Sequence, residues 1–194
     1  MKDFFEKVSH IFSKYQNEKH VEFEMRLGKI NRGSFDTNVG QDTFERILRR
    51  LQKYQGWEHV KHSSDVAYYQ DRIRLTIDDE TEDHVQVSKN KLDKFDYSLN
   101  GRPFDVRFAV AKEVPNTEEV DEFTFAKKRT RWSFLRKNLS IDMTIVSGNP
   151  ADLDSEEENS YQIEFEIVDP KQVTDRDILY NLVYKVNDVL DLAA

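Results

Sequence analysis

Apolar and polar side chains alternate at every second residue through most of this sequence. The first such stretch is HVEFEMRLG, residues 20–28, in which apolar residues alternate with Glu22, Glu24 and Arg26. This period is that of a β-strand, whose side chains point in turn to the two faces of a sheet. The other segments with this period are residues 57–62, 65–70, 72–78, 84–97, 104–113, 123–135, 139–146 and 161–168. We therefore predict a strand-rich domain with eight or nine strands.

Three further segments have apolar residues at helical spacing. They are residues 3–16, residues 42–54 and a segment that begins near Asp175 and continues through Leu190, and each is predicted to be an amphipathic helix. The acidic stretch SGNPADLDSEEENS, residues 147–160, predicts a solvated loop. Because no linker or internal repeat interrupts the chain, residues 1–194 are predicted to form one α+β domain.

Composition limits the kinds of site that the chain can hold. With 194 residues and a net charge of -8, it does not resemble a protein that coats duplex nucleic acid, although a local basic pocket is compatible with this charge. There is no cysteine, so any metal must be bound by oxygen or imidazole. We expect an intracellular protein without a membrane partner, because no secretion signal or long apolar run is present.

The charged faces of the predicted strands are segregated by sign. The first and last strands carry the carboxylates of two E-x-E pairs, Glu22 with Glu24 and Glu164 with Glu166. The strands between them carry the basic residues Arg72, Arg74, Lys89, Lys91, Arg107, Lys127, Arg129 and Arg131. Such a distribution would place an acidic group of side chains opposite a basic lining.

Two arrangements fit this pattern. In the first, an open antiparallel sheet packs its apolar face on the helices and turns its charged face to water. In the second, the sheet closes into an eight-stranded antiparallel barrel with a charged interior and helices outside. Buried charges are costly unless they are paired or bind a charged ligand. The segregated signs favour the barrel, because paired carboxylates suit Mg²⁺ or Mn²⁺ and the basic lining suits phosphates.

The strand motifs occur in a recognisable order. HVEFEMRLG, DRIRLT, DVRFAVAKEVP, KKRTRWSF, SIDMT and YQIEFEI resemble the motifs of the metal-dependent mRNA-capping RNA 5′-triphosphatases of the triphosphate tunnel metalloenzyme superfamily. The resemblance covers residues 20–168, and the small size and motif order are most similar to the viral branch, that of the chlorella viruses. It implies a tunnel fold and removal of the γ-phosphate from triphosphate-ended RNA.

The resemblance also implies roles for individual residues. Glu22, Glu24 and Glu166 would hold Mg²⁺ or Mn²⁺, with Glu164 and Arg26 beside the metal. Phosphate-binding candidates are Arg107, Lys127, Arg129 and Arg131, and, by pattern alone, Arg72, Arg74, Lys89 and Lys91. The expected supporting residues are Asp142 and Thr144, which would orient basic side chains or water, and Glu113 or Glu164, which would position the attacking water. Gln162 and Ser140 depart from the fungal pattern, which often has a glutamate and an arginine there.

Other activities of the same fold remain open at this point. An inorganic tripolyphosphatase, or another hydrolase of small triphosphates, would use a similar tunnel, although Arg26 and the R-x-R-W motif favour RNA. A different class is a barrel that binds phosphate or RNA ends without cleaving them. We expect nucleoside triphosphates to be further substrates. Because no K-x-D-G motif is present, we expect the RNA guanylyltransferase of the pathway to be a separate polypeptide. We expect a monomer in preference to a homodimer.

Overall fold

The computed structural model describes residues 1–148 and 159–194, so most of the predicted acidic loop at 147–160 lies outside the described residues. The helices are α1 (Lys2–Tyr15), α2 (Gln41–Lys53) and α3 (Arg176–Leu192), with a short 3-10 helix at Pro170–Gln172. The strands are β1 (Val21–Asn31), β2 (Ser34–Asp36), β3 (His59–Gln70), β4 (Ile73–Asp78), β5 (His84–Tyr97), β6 (Asp105–Pro115), β7 (Phe125–Arg136), β8 (Leu139–Ser147) and β9 (Ser160–Ile167). None of the helices in these ranges is long and apolar enough to cross a bilayer.

Eight of the strands form a closed antiparallel barrel in the order β1-β6-β5-β4-β3-β7-β8-β9. The barrel is closed by pairing of β9 with β1, where Glu166 lies opposite Glu24 and Glu164 opposite Arg26. The short strand β2 pairs with the end of β1, at the edge of the barrel. This closure confirms the predicted barrel and excludes the open sheet with a solvent-facing charged side.

The hydrophobic core lies between the barrel wall and the three helices. From β1, β8 and β9 the fully buried side chains include Phe23, Met143 and Phe165, which belong to one cluster with helix residues such as Phe4 and Val186. Because side chains alternate along each strand, burial of these residues against the helices turns the charged alternate residues into the barrel.

The helix boundaries agree with the predicted segments to within one or two residues. The third helix begins after Asp175, whose carboxylate accepts a hydrogen bond from the Ile178 backbone N–H at 2.9 Å. An acidic residue at this position satisfies a backbone donor that has no partner within the helix.

The strand predictions needed three corrections. Residues 57–62 and 65–70 are not two strands, since His59–Gln70 is one continuous strand paired along β7. The strand β2 was missed because three residues are too short for a period to be recognised. The third correction is a bulge in β5 between Lys91 and Asp93. It shifts the alternation of the residues that follow, so that Asp96 on β5 pairs with Arg107 on the neighbouring strand β6.

A hairpin joins β1 to β2 and brings Phe35 against Gly28. A Cβ atom on Gly28 would lie 2.3 Å from the Asp36 carbonyl oxygen and 2.4 Å from the Phe35 ring. Since such contacts are sterically forbidden, only glycine permits this close approach. The Phe35 ring in turn lies 4.7 Å from the Arg107 guanidinium.

Candidate active site

Inside the barrel lies a polar cavity of about 410 Å³. Its lining includes carboxylates from β1, β6 and β9 and cations from β1, β4, β5 and β7. The charged lining residues are Glu22, Glu24, Arg26, Arg74, Lys89, Glu113, Lys127, Arg129, Arg131, Glu164 and Glu166. The cavity therefore combines both signs of charge, as the segregated strand faces predict.

The carboxylates on β1 share a basic neighbour. The Lys89 ammonium lies 3.2 Å from Glu22 Oε2 and 3.6 Å from Glu24 Oε2. Burial alone would lower the pKa of Lys89, but Glu24, Glu22 and Glu113 outweigh it and raise that pKa. Lys89 is thus firmly protonated and places a positive charge between the two glutamates.

Glu164 is held as an anion by arginines. Arg26 Nη2 lies 2.6 Å from Glu164 Oε1 and 3.6 Å from Glu24 Oε1. Burial would raise the pKa of Glu164, but Arg26 and Arg131 overcome that effect and lower it. Arg26 therefore links the carboxylate groups of β1 and β9 across the seam that closes the barrel.

Two other glutamates have strongly raised pKa values. Burial raises the pKa of Glu22 to about 8, and its neighbours Glu113 and Glu166 add to the rise although Lys89 opposes it. Burial likewise raises the pKa of Glu166 to about 7, with contributions from Asp142, Glu24 and Glu164. Both carboxyl groups therefore retain protons near neutral pH, and a cation that bound beside them would displace these protons.

The cations of β7 are fixed by polar partners on neighbouring strands. Arg129 donates two hydrogen bonds to Asp65, at 2.7 and 3.1 Å. Arg131 donates from Nε to Thr144 Oγ1 at 2.9 Å, and its Nη1 lies 4.0 Å from Asp142 Oδ2. Because these contacts use only part of each guanidinium, the remaining N–H groups are available to phosphate oxygens.

On β4, Arg74 has a polar atom without a partner. Its Nη2 donates to Glu113 Oε1 at 2.7 Å, whereas its buried Nε has no hydrogen-bond partner among the described residues. A buried unsatisfied donor destabilises a protein unless a water or ligand satisfies it. Its position in the cavity lining makes an anionic ligand a suitable partner.

Most of the candidate residues from the sequence meet in this cavity, but four do not line it. Asp142 is buried behind the lining, where it accepts a hydrogen bond from Ser140 and lies close to Arg131. Arg72 donates to Asn90 and lines a different surface depression, and Lys91 is exposed next to the β5 bulge. Arg107 points into the barrel but bonds to Asp96, at 2.6 and 3.0 Å.

Arg107 is therefore expected to stabilise the barrel wall rather than bind phosphate. The pair with Asp96 raises the pKa of Arg107, and the shift of the β5 alternation at the bulge places Asp96 opposite it. We predict that Arg107→Ala lowers the free energy of unfolding by about 1–2 kcal/mol through loss of this bidentate pair. Phosphate release should change less than about fivefold, since the cavity lining is left intact.

Urea unfolding and phosphate-release assays of Arg107→Ala, side by side with Arg131→Ala, test this. Arg131→Ala removes an arginine from the cavity lining and is the matched comparison. A loss of activity in Arg107→Ala as large as that in Arg131→Ala would show instead that Arg107 binds phosphate, as the sequence motif implies.

Sequence reasoning missed several residues of the cavity. Tyr69 and Phe125 line it as a stacked aromatic pair, and Asp65 holds Arg129. The alternation around Arg129 and Arg131 does extend back to Phe125, so its inward orientation was available from the pattern. The pairing of Tyr69 with Phe125 was not, because it depends on the register between β3 and β7.

Comparison with known families identifies the family of this chain. A sequence model described as "mRNA capping enzyme, beta chain", from the family of mRNA capping triphosphatases, matches residues 37–181, most of the 194-residue chain. The chain belongs to this mRNA capping enzyme family. A comparison with functionally curated proteins finds no significant match.

Solved structures of RNA triphosphatases share the fold of this member of the capping enzyme family. The RNA triphosphatase Pct1 of S. pombe superposes with a TM-score of 0.80 at 16% identity, over 98% of this chain and 92% of that one. The Mimivirus capping enzyme triphosphatase gives a TM-score of 0.67 at 16% identity, over 98% of both chains. At these identities the similarity concerns the fold, so the roles of individual residues depend on the geometry of the cavity.

The carboxylate side chains in this cavity are suitable ligands for a hard divalent cation. Glu22, Glu24 and Glu166 all supply carboxylate oxygen, the ligand that Mg²⁺ and Mn²⁺ prefer. These three side chains do not yet form a metal site. Among residues 1–148 and 159–194, no three His, Asp or Glu side chains lie close enough together to hold a metal. Instead the Lys89 ammonium lies between Glu22 and Glu24, so these flexible side chains would have to rotate before the three carboxylates could bind one metal ion.

Proposed function

We propose that this protein is an RNA 5′-triphosphatase, which removes the γ-phosphate from triphosphate-ended RNA in the first step of mRNA capping and also hydrolyses nucleoside triphosphates. The observation that supports this most directly is the polar cavity inside a closed barrel, with carboxylates on β1 and β9 and cations on β4, β5 and β7. Membership of the capping enzyme family supports the same activity. The viral branch stays a prediction, based on the size and order of the motifs.

In the proposed reaction, water attacks the γ-phosphorus in line with the departing β-phosphate. Negative charge then spreads over the phosphate oxygens, so positioned cations supply most of the acceleration. Arg129 and Arg131 are fixed by Asp65 and Thr144, and would donate their remaining N–H groups to those oxygens. Lys127 and Arg74 would bind the same triphosphate from the lining.

Two carboxylates are candidates for positioning the attacking water. Glu164 is kept ionised by Arg26 and Arg131, so it would accept a hydrogen bond from the water but is a weak proton acceptor near neutral pH. Glu113 is oriented by Arg74 at 2.7 Å, and it is the second candidate for positioning the water. Arg74 thereby connects the phosphate-binding and water-positioning groups.

A divalent ion is part of the proposal. Mg²⁺ or Mn²⁺, held by Glu22, Glu24 and Glu166, would supply Lewis-acid neutralisation of charge on the phosphate. Burial and acidic neighbours raise the pKa values of Glu22 and Glu166, and a divalent ion would offset the same effects by stabilising both carboxylates in their ionised form.

The deciding experiment is incubation with RNA labelled at the γ-phosphate, with and without a chelator. We expect release of inorganic phosphate with Mg²⁺ or Mn²⁺ and none after chelation, and RNA labelled at the α-phosphate should keep its label on a diphosphate end. Release of pyrophosphate, or release that persists with the chelator, would contradict the proposal. Binding of RNA without release would indicate a binding barrel, and release from tripolyphosphate but not RNA a tripolyphosphatase.

The capping pathway implies further partners. The product would be a diphosphate-ended RNA, the substrate of an RNA guanylyltransferase, and we propose that this is a separate polypeptide. We further propose that the protein acts as a monomer, which sedimentation at micromolar concentration would test.

A further inference from the structure

A stacked aromatic pair lines one end of the otherwise polar cavity. The rings of Tyr69 and Phe125 lie 4.8 Å apart between centroids, with an angle of 14° between their planes. Phe125 remains 48% exposed. Most of the other cavity-lining side chains are polar or charged, so an open aromatic ring at this place is unexpected for a site that binds phosphates alone.

The backbone fixes the position of the pair. Tyr69 and Phe125 are directly opposite each other in the register of β3 and β7. Next to them, the backbone N–H and the hydroxyl of Thr124 both donate to the Tyr69 carbonyl oxygen, at 2.8 and 3.0 Å. Parallel stacking places Tyr69 on one face of the Phe125 ring, and nearly half of the Phe125 side chain is left exposed in the part of the chain that the structure describes.

The pair also continues the line of cations on β7. Phe125, Lys127, Arg129 and Arg131 occupy successive inward positions, so each is separated from the next by roughly 6–7 Å along the strand. On β4, Arg74 lies directly opposite Tyr69. An aromatic surface is therefore followed by a row of phosphate-binding groups, which is the order of base and triphosphate in a nucleotide.

We propose that the Tyr69–Phe125 pair stacks on the first nucleobase of a triphosphate-ended RNA, and on the base of a nucleoside triphosphate, so that this site favours nucleotides over inorganic tripolyphosphate. The inference rests on the proposed function, because it assigns the base-binding part of the same cavity. Aromatic stacking tolerates any base, since every base has a π-face. Selection is therefore for the presence of a base rather than for its identity.

The test compares substrates with and without a base in Phe125→Ala, Phe125→Trp and a control. The ratio of kcat/KM for ATP to kcat/KM for tripolyphosphate should fall in Phe125→Ala by roughly five- to a hundredfold, the range expected for loss of one stacked base. The ratio for a short triphosphate-ended RNA should fall equally, and Phe125→Trp should retain it. The control is Phe123→Ala, which removes a nearby ring that packs on Tyr68 and does not line the cavity.

The outcomes separate this inference from the proposed function. If phosphate is released but the ratio in Phe125→Ala equals that of the wild type, the stacking role is wrong and the triphosphatase stands. The same conclusion holds if Phe123→Ala lowers the ratio as much. If no triphosphate is hydrolysed, the binding of a non-hydrolysable ATP analogue and of tripolyphosphate is measured by calorimetry instead. Stacking is supported if Phe125→Ala binds the analogue more weakly than the wild type and binds tripolyphosphate equally well. It is overturned if Phe125→Ala binds the analogue as tightly as the wild type.

Discussion

Replacement of Glu166 by alanine is expected to reduce γ-phosphate release at least about a hundredfold while the protein stays folded. Glu166 lies opposite Glu24 at the closing seam of the barrel, and both supply oxygen to the same side of the cavity. The same loss is expected for Glu24→Ala. Glu24→Gln should fail as well, because an amide is a poor ligand for a hard cation.

Arg131→Ala should show an equal loss for a different reason. Its guanidinium is oriented by Thr144 and lies beside Asp142, and Glu164, Asp142 and other acids raise its pKa although burial opposes them. A permanently charged, oriented donor of this kind stabilises charge that develops on the phosphate oxygens. Arg131→Lys should recover only part of the rate, since an ammonium cannot donate in the planar fork of a guanidinium.

Initial rates of phosphate release, with circular dichroism to verify folding, would measure these effects. The matched controls are Arg136→Ala, which removes an arginine of the same strand that packs on Tyr54 outside the cavity, and Glu45→Ala on helix α2. Both should retain wild-type activity within about twofold. Wild-type activity in Glu24→Ala, Glu166→Ala or Arg131→Ala would refute the assignment of the cavity.

The barrel could be predicted from the sequence because alternation and charge segregation act together. Alternation alone, as in HVEFEMRLG, is equally compatible with an open sheet on helices. The carboxylates of YQIEFEIV and the cations of the basic strands favour a closed interior, because charges that are removed from water are stabilised by pairing with opposite charges. The register that sets Glu24 opposite Glu166 was not predictable, because it depends on how far each strand shifts around the barrel.

Single residues within the site were harder to assign for the same reason. Lys89 and Lys91 have the same parity in sequence, but only Lys89 lines the cavity, and the bulge next to Lys91 reverses the alternation that follows. A bulge is an insertion of one residue in a strand pair, and it leaves no periodic signal. Arg107 is a similar case. Its inward orientation was predicted from the alternation, but its pairing with Asp96 depends on the bulge and could not be predicted.

The metal-free protein is expected to lose stability as the pH rises from 5.5 to 8.5. The pKa values of Glu22 and Glu166 are raised by burial and by acidic neighbours, to about 8 and about 7, so the folded state holds protons that the unfolded chain releases near pH 4.5. The stability that these groups contribute is complete at acidic pH and is lost as the pH passes through the folded pKa values. The two groups interact, and together we expect a loss on the order of 3 kcal/mol, or roughly 5–10 °C in Tm.

Thermal melts in a chelator across this pH range, for the wild type and for Glu22→Gln and Glu166→Gln, measure the effect. Each glutamine variant should be more stable than the wild type at pH 8.5 and should depend less on pH, because it removes a repulsive carboxylate. Mn²⁺ or Mg²⁺ should raise the Tm of the wild type most at high pH and release protons on binding, since the metal takes the place of those protons. A flat profile for the wild type, or a slope in both glutamine variants equal to that of the wild type, would show that these two carboxyl groups do not hold the extra protons of the folded state. Loss of activity together with a gain in metal-free stability in Glu166→Gln would show that the negative charge is kept for the reaction at the expense of the fold.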